Sequence, residues 1–331
     1  MEKFEYHKKI KALKFICNKN KKFGMIRIIR RLGENENPVI LKTPLPNSWI
    51  DVENPGEKEI DFIEKKLKIP RDYILDCLDE DEIPRIFSES GNVVIILRIP
   101  IVQEENIFTI PLGIILTKNY MITIHSKPID FFEQFFSGKI KFSTSKRIRL
   151  VFQILMVLIH TFTKLLRKLE KEVRETEKKF LKSAKNEDIL ILMRMKENVL
   201  DLQNAIYENN KVLEALLSGH HIRLYKGDVK IINDILIDNK QCITMASFLI
   251  KNVNNALQIF EWIISNNLNM LMKKLTSLAV ILSMPLIVSG IYGMNISLPL
   301  QQNENAFVIL MIISLILSLI VAIYFKIKDW I

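Results

Sequence analysis

Cysteine is scarce in this chain of 331 residues: there are three, Cys17, Cys77 and Cys242, and none belongs to a CxxC pair. An odd number of distant thiols excludes a disulfide framework and a thiolate metal cage, and it suits a reducing, cytosolic compartment. Glycine and proline are thin as well, at 10 and 11. Neither occurs from Asp228 to Met284 or from Lys139 to Ser218, so nothing in either stretch would break a helix. There is no Walker loop, GxGxxG, GxSxG or HExxH, and with them go the usual signs of an enzyme. His220-His221 is the one histidine pair; it has no further ligand at metal spacing and reads as structural. Charge is the last absence. From Thr276 to Phe325 the sole charged residue is Glu304, while the sequence before it is dense in Lys, Arg, Asp and Glu.

That asymmetry predicts a soluble region followed by a membrane region. The formal charge of +10 raises nucleic acid as a partner, but lysine and glutamate interleave and no basic stripe with aromatics appears, so none is expected. The start, MEKFEYHKKIK, lacks the apolar core of a signal peptide and carries acids that a mitochondrial transit peptide avoids.

Two segments are long enough to cross a bilayer. Ala306 to Phe325, AFVILMIISLILSLIVAIYF, would span roughly 30 Å as a helix, the thickness of a hydrocarbon core. The segment before it, LTSLAVILSMPLIVSGIYGMN, residues 275–295, carries Ser, Thr, Pro and Gly. Those residues suit a helix that packs on others or faces water better than one facing lipid. Lys273 and Lys274 precede the first span and Lys326 and Lys328 follow the second, while the loop 296–305 between them, ISLPLQQNEN, has no lysine or arginine. Both termini are therefore expected in the cytoplasm, with a short tail at 326–331 and the loop outside the cell membrane. Gly293-Met294-Asn295 then falls at the outer mouth of the first span.

Behind that span the periodicity predicts a stalk helix over 228–274. Ala246, Ile250, Val253, Leu257, Phe260, Ile264, Leu268, Leu271 and Leu275 recur at steps of three and four, as a packed seam requires. With few charges flanking the seam, an oligomer with this helix inside is one reading; a hairpin against the chain's own middle segment is the other. That middle segment, 146–227, predicts an antiparallel helical pair with a turn at AKNED and the charged run RKLEKEVRETEKKF. Its apolar run LVFQILMVLI is too short to cross a bilayer.

Residues 1–145 mix strands and helices. NVVIILRIP, IFTIPLGIILT and YMITIHS read as strands, and IDFIEKKLKI and RDYILDCLDEDE as helical pieces before them. The acids Asp76, Asp79, Glu80, Asp81 and Glu82 form either a hard-cation site or a solvated helix end. The fold class expected is an α+β cytoplasmic domain, a long helical stalk and two transmembrane helices.

The tripeptide GMN after an aromatic at the end of the penultimate span resembles the CorA family of divalent-cation channels. SWIDVENP (48–55), LDCLDEDEIPR (75–85), PLGIILTKNYMITIH (111–125), NMLMKKLT (269–276) and YFKIKDW (324–330) are similar to family landmarks in family order, so the resemblance covers nearly the whole chain. It implies a homopentamer with a funnel-shaped cytoplasmic part and one pore-lining helix per subunit. It implies Mg2+ as cargo, with Co2+ or Ni2+ as further cargo, taken up down the membrane potential, and no organic cofactor. Gly293, Met294 and Asn295 would form the selectivity filter, with Met294 and Tyr292 bracing a tight turn at Gly293. The pore-facing set would be Ser283, Ala279, Leu275, Met272 and Asn269, with Leu275 and Met272 as the hydrophobic gate. Asp76 matches the family's regulatory metal position and Asp234 a further stalk carboxylate; Gln258 stands where an acid is expected, with Glu261 about one turn along. Leu286 replaces a common threonine ring, and the outer loop has Glu304 as its single acid. A zinc transporter of the same superfamily and a membrane-anchored coiled-coil adaptor without a pore are the other readings.

Overall fold

A computed structural model describes residues 24–182, 186–300 and 302–331. Cys17, the first residues of the chain and part of the AKNED turn lie outside them. The chain divides into two compact units: residues up to Lys178 with Leu190–Asn254, and Lys179–Ile189 with Asn255–Ile331.

The first unit is built on a seven-stranded sheet: β1 (Met25–Arg30), β2 (Val39–Leu41), β3 (Ser48–Glu53), β4 (Arg85–Glu89), β5 (Asn92–Gln103), β6 (Asn106–Leu116) and β7 (Tyr120–His125). The order is β2-β1-β3-β7-β6-β5-β4. All neighbours are antiparallel except β3 and β7, which run parallel. Such a pair needs a crossover, and the chain from β3 to β7 supplies it. Two helices follow β3 directly: α1 (Glu57–Leu67) and α2 (Arg71–Asp76).

Side chains alternate between the two faces of a strand, and here both faces are covered. Ile50, Val52, Val94, Ile96, Ile115, Ile122 and Ile124 form one core with Ile60, Ile63 and Leu67 of α1 and Ile74 of α2. This is why the strands read as continuous apolar runs in the sequence. The Cys77 side chain belongs to the same cluster and lies over Gly113; a Cβ on Gly113 would sit 1.9 Å from its sulfur. Glycine in mid-strand here marks a close approach. The opposite face carries Trp49, whose ring packs edge-on against Phe132, Phe135 and Phe142 at 5.2 to 5.8 Å. Two of these belong to the short helix α3 (Phe132–Phe136).

Polar atoms on that face form one network. Asp51 accepts from Thr123 at 2.7 Å and from Arg27 Nε at 3.1 Å, while the Trp49 indole donates to Thr123 at 2.9 Å. His125 Nε2 meets Asp51 at 3.0 Å and Nδ1 meets the Lys127 carbonyl at 2.6 Å. Both partners only accept, so both ring nitrogens donate and the imidazole is held protonated. Burial alone would lower its pKa, but the Asp51 charge and hydrogen bond and the Lys127 carbonyl outweigh burial and raise it. Burial pushes the Asp51 carboxyl the other way; His125, Arg27 and Thr123 prevail and hold it below its usual value.

Two long helices follow: α4 (Arg147–Lys182) and α5 (Asn186–Leu217). The side chains of Asn198 and Asn209 on α5 finish the sheet's hydrogen bonding. Asn209 accepts from the Arg98 amide at 2.8 Å and donates to its carbonyl at 2.7 Å, where β4, paired only as far as Ile96, has ended. Asn198 does the same for the Ile107 amide and the Glu105 carbonyl, at 3.0 and 3.1 Å.

α6 (Lys226–Tyr292) is a single helix of 67 residues, about 100 Å long; it begins two residues before the expected stalk and continues unbroken through the first expected span. α7 (Ala306–Ile327) follows. The expected second helix of the N-terminal part, RDYILDCLDEDE, stops at Asp76. Leu78 and Asp79 turn back onto the Leu75 carbonyl, and Asp79 Oδ1 accepts the Asp81 amide, a local bond that competes with helix.

Candidate functional site

Among the described residues three helices are long and apolar enough to cross a membrane: α4, α6 and α7. Burial separates them. The most apolar window of α4 is 44% buried within the chain, those of α6 and α7 only 6%. Leu150, Val151, Phe152, Ile154, Leu155 and Leu158 of α4 belong to the protein core, whereas α6 and α7 present apolar side chains that this chain does not cover.

The seam of α6 is likewise covered over only part of its length. Cys242, Ala246, Leu249, Val253, Ala256 and Phe260 are buried at steps of three and four. Phe260 stacks on Phe180 with ring centroids 3.5 Å apart and planes 7° off parallel. Ile250 and Leu257, expected in the seam, are half-buried flanking residues. Past Phe260 the cover of the seam thins: Leu268, Leu271, Met272 and Leu275 are exposed, the last two at 60% and 62%. The intramolecular reading of this helix therefore holds up to Phe260, and beyond it the chain leaves most of the apolar side chains exposed.

Asn269, Met272, Leu275, Ala279 and Ser283 fall on one continuous helix. At 100° per residue they occupy about a third of its circumference. Ser283 is half-buried and turns its hydroxyl back to the Val280 carbonyl at 2.7 Å; the other four are exposed. Leu286 is 71% exposed. α6 ends at Tyr292, and the Gly293 amide still bonds the Ser289 carbonyl at 2.9 Å. Gly293 is outside the left-handed region that only Gly91, Gly138 and Gly219 occupy among the described glycines. Its value is closeness: a Cβ there would stand 3.3 Å from the Ser289 carbonyl oxygen. Met294 and Asn295 are exposed and Tyr292 is half-buried. The loop returns through Asn303, whose Oδ1 accepts the Asn305 amide at 2.9 Å, to start α7.

One bond between the two apolar helices was not anticipated. Ser318 of α7 donates to the Ile281 carbonyl of α6 at 3.3 Å. The signal was in the sequence: Ile281 stands four residues before Pro285, and a proline has no amide to offer it.

The carboxylates expected to bind a regulatory ion are not assembled. Asp76 pairs with Arg85 at 2.7 Å, and the same guanidinium holds Glu82 at 3.2 Å. Asp234, Gln258 and Glu261 are exposed. Among the described residues no group of three His, Cys, Asp or Glu side chains could hold a metal ion.

A sheet domain followed by one helix that runs into an apolar, uncovered helix pair defines a membrane protein. The chain belongs to the CorA-like Mg2+ transporter family, whose model matches residues 47–326. The family comprises ion transporters and channels, not enzymes. The chain is 29% identical to the cobalt/magnesium transport protein CorA of Methanocaldococcus jannaschii, over 86% of this chain and 91% of that one. It is 24% identical to the corresponding protein of Thermotoga maritima, over 77% and 75%. The complete structure of the Methanocaldococcus jannaschii CorA magnesium transporter superposes with a TM-score of 0.82 at 26% identity, covering 93% of this chain and 99% of that one. The cytoplasmic domain of ZntB from Vibrio parahaemolyticus shares the fold at 13% identity, with a TM-score of 0.58 over 75% of this chain and 98% of that one.

Proposed function

We propose that this chain is one protomer of a homopentameric divalent-cation channel that admits Mg2+, with Co2+ or Ni2+ as further cargo, down the membrane potential. The observation that carries the reading is the uncovered part of α6. Leu268, Leu271, Met272, Leu275, Leu278, Leu282 and Leu286 are all exposed within the chain, while small and polar residues share their helix. Five copies of such a helix would cover one another and leave an axial path. α6 from Leu275 onward and α7 are the two spans, with both termini in the cytoplasm. Asn295 copies ring the outer mouth and bind the ion through its waters, since Mg2+ dehydrates reluctantly. A divalent ion then gains about 4.6 kcal/mol per 100 mV, twice the single-charge value. Leu275 and Met272 close the path below, and Asp76, Asp234 and Glu261 serve a regulatory Mg2+ shared between protomers.

Uptake into proteoliposomes with a negative interior is the direct test. The purified protein is expected to carry Mg2+, and Asn295→Ala to lower the flux about tenfold or more while pentamers persist, a barrier change of roughly 1.4 kcal/mol. Absence of flux from assembled wild type refutes the channel and favours an anchored adaptor. Wild-type rate and selectivity in Asn295→Ala refute the filter, and Zn2+ carried in preference to Mg2+ refutes the cargo.

A further inference from the structure

In an α-helix the carbonyl of residue i accepts the amide hydrogen of residue i+4. For Ile281 that residue is Pro285, inside α6, which has no amide hydrogen. Water can satisfy such a carbonyl in a soluble helix. In a hydrocarbon core it cannot, and an unmet backbone group there costs several kcal/mol. The Ser318 hydroxyl on α7 donates to this orphaned oxygen at 3.3 Å.

Three other serines in the apolar parts of the two helices show that this bond competes with a local one. Ser277, Ser283 and Ser314 each donate to the carbonyl three residues back on their own helix, at 2.9, 2.7 and 2.9 Å. Ser318 forgoes that option and crosses to α6. Ser314, one turn before it on α7, and Ser277, one turn before Ile281 on α6, are both buried, so small residues bring the two helices close on either side of the bond.

We propose that Ser318 is a positioning residue for the ion path: its hydroxyl replaces the amide that Pro285 lacks. It thereby holds the break in the hydrogen-bond ladder of an otherwise continuous helix in one geometry, and with it the segment that carries Leu286 to Asn295. The functional half of this statement rests on the channel reading; the bond itself does not. A proline break weakens the coupling between the turns on its two sides. A donor fixed on the neighbouring helix restores it and ties the outer end of α6 to α7. Without Ser318 the break would find other donors in several geometries, and the Asn295 ring would be aimed less uniformly.

A double-mutant cycle tests this, because Pro285→Ala supplies the missing amide from within α6. The four proteins are wild type, Ser318→Ala, Pro285→Ala and the double variant, with Ser318→Thr as the conservative control. Each is purified as the full-length oligomer and measured for melting midpoint in detergent and for Mg2+ flux in proteoliposomes. Ser318→Ala is expected to lower the midpoint and to cut flux about threefold to tenfold, the range that hydrogen bonds between membrane helices carry. Ser318→Thr should restore both, and in the Pro285→Ala background Ser318→Ala should change neither. Equal effects of Ser318→Ala in the two backgrounds, or none in wild type, overturn the proposal. Loss of the midpoint effect in the Pro285→Ala background, with no flux from any protein, would refute the channel and keep the bond. An intact midpoint cycle with flux indifferent to Ser318 would overturn the positioning role.

Discussion

Asp51 and His125 are buried charges, and they survive burial because every polar atom between them has a partner. Removing one member of such a pair leaves the other charge stranded, at a cost of about 3 kcal/mol. Stability should therefore follow pH in a defined direction. The folded-state pKa of His125 is raised, so its contribution is complete below the ordinary imidazole value near 6.5 and is lost as pH rises through the raised one. The folded-state pKa of Asp51 is lowered; its contribution is present above the ordinary carboxyl value and fades as pH falls through the depressed one. Denaturant midpoints of the solubilised protein should decline on the alkaline side for wild type, whereas His125→Gln should start lower and stay level there. Parallel profiles for the two proteins would count against a protonated His125. None of this network was legible in the sequence, where SWIDVE and YMITIHS lie far apart. Only the parallel pairing of β3 with β7 sets Asp51 beside Thr123 and Val52 beside Ile124. Asn295 could be singled out as a candidate because its setting is local: the tripeptide Gly293-Met294-Asn295 between two apolar runs needs no tertiary information to stand out.

Elements were legible in proportion to their length. α4, α5, α6 and α7 are long periodic segments without glycine or with it only at their ends, and each was expected within a few residues of where it lies. Strands β5, β6 and β7 were expected from apolar runs, while β1, β2 and β4 are short or mixed and owe their existence to neighbouring strands. Two positions of the α6 seam were mis-set by one residue, because Leu249 and Ala256 share the buried face with Val253 and Phe260 while Ile250 and Leu257 flank it. The exposed half of that helix carries the next prediction. In the proposed pentamer, five Leu275 side chains converging with five from Met272 would make an apolar collar too narrow to stay wet, which a hydrated ion would cross only at the expense of its own water. Leu275→Asn should hydrate the collar and raise basal flux by about an order of magnitude, a barrier change near 1.4 kcal/mol, even with internal Mg2+ high. Thr276→Ser, on the neighbouring face, should change it little. A Leu275→Asn protein as tightly shut as wild type would place the gate elsewhere.

For the whole molecule, no group of three His, Cys, Asp or Glu among the described residues could hold a metal ion, so the proposed regulatory Mg2+ would have to be shared between copies. In the isolated chain the Asp76 carboxylate already has the Arg85 guanidinium at 2.7 Å; an incoming Mg2+ has to displace it. If Mg2+ closes the proposed pentamer, it should slow limited proteolysis, by about tenfold when Mg2+ is at ten times its dissociation constant, and Asp76→Asn should remove the protection. Identical cleavage with and without millimolar Mg2+ would mean that Gln258, in place of the expected acid, has disabled the site. Assembly was the part least readable in sequence. Exposed leucines on a helix announce that something covers them, and only the family suggests that five copies do.

The asparagine clamps on α5 have a mechanical consequence. Asn198 and Asn209 are eleven residues apart, three helical turns, so they stand on the same side of α5 and grip the backbone of the sheet at two separate points. Each grips both an amide and a carbonyl. A helix attached at one point can pivot, and one attached through side-chain packing alone can slide by a rotamer change. Two bidentate attachments allow neither. Turning α5 relative to β5 and β6 would therefore have to break hydrogen bonds at one clamp or the other, so a torque delivered to the helix should reach the sheet.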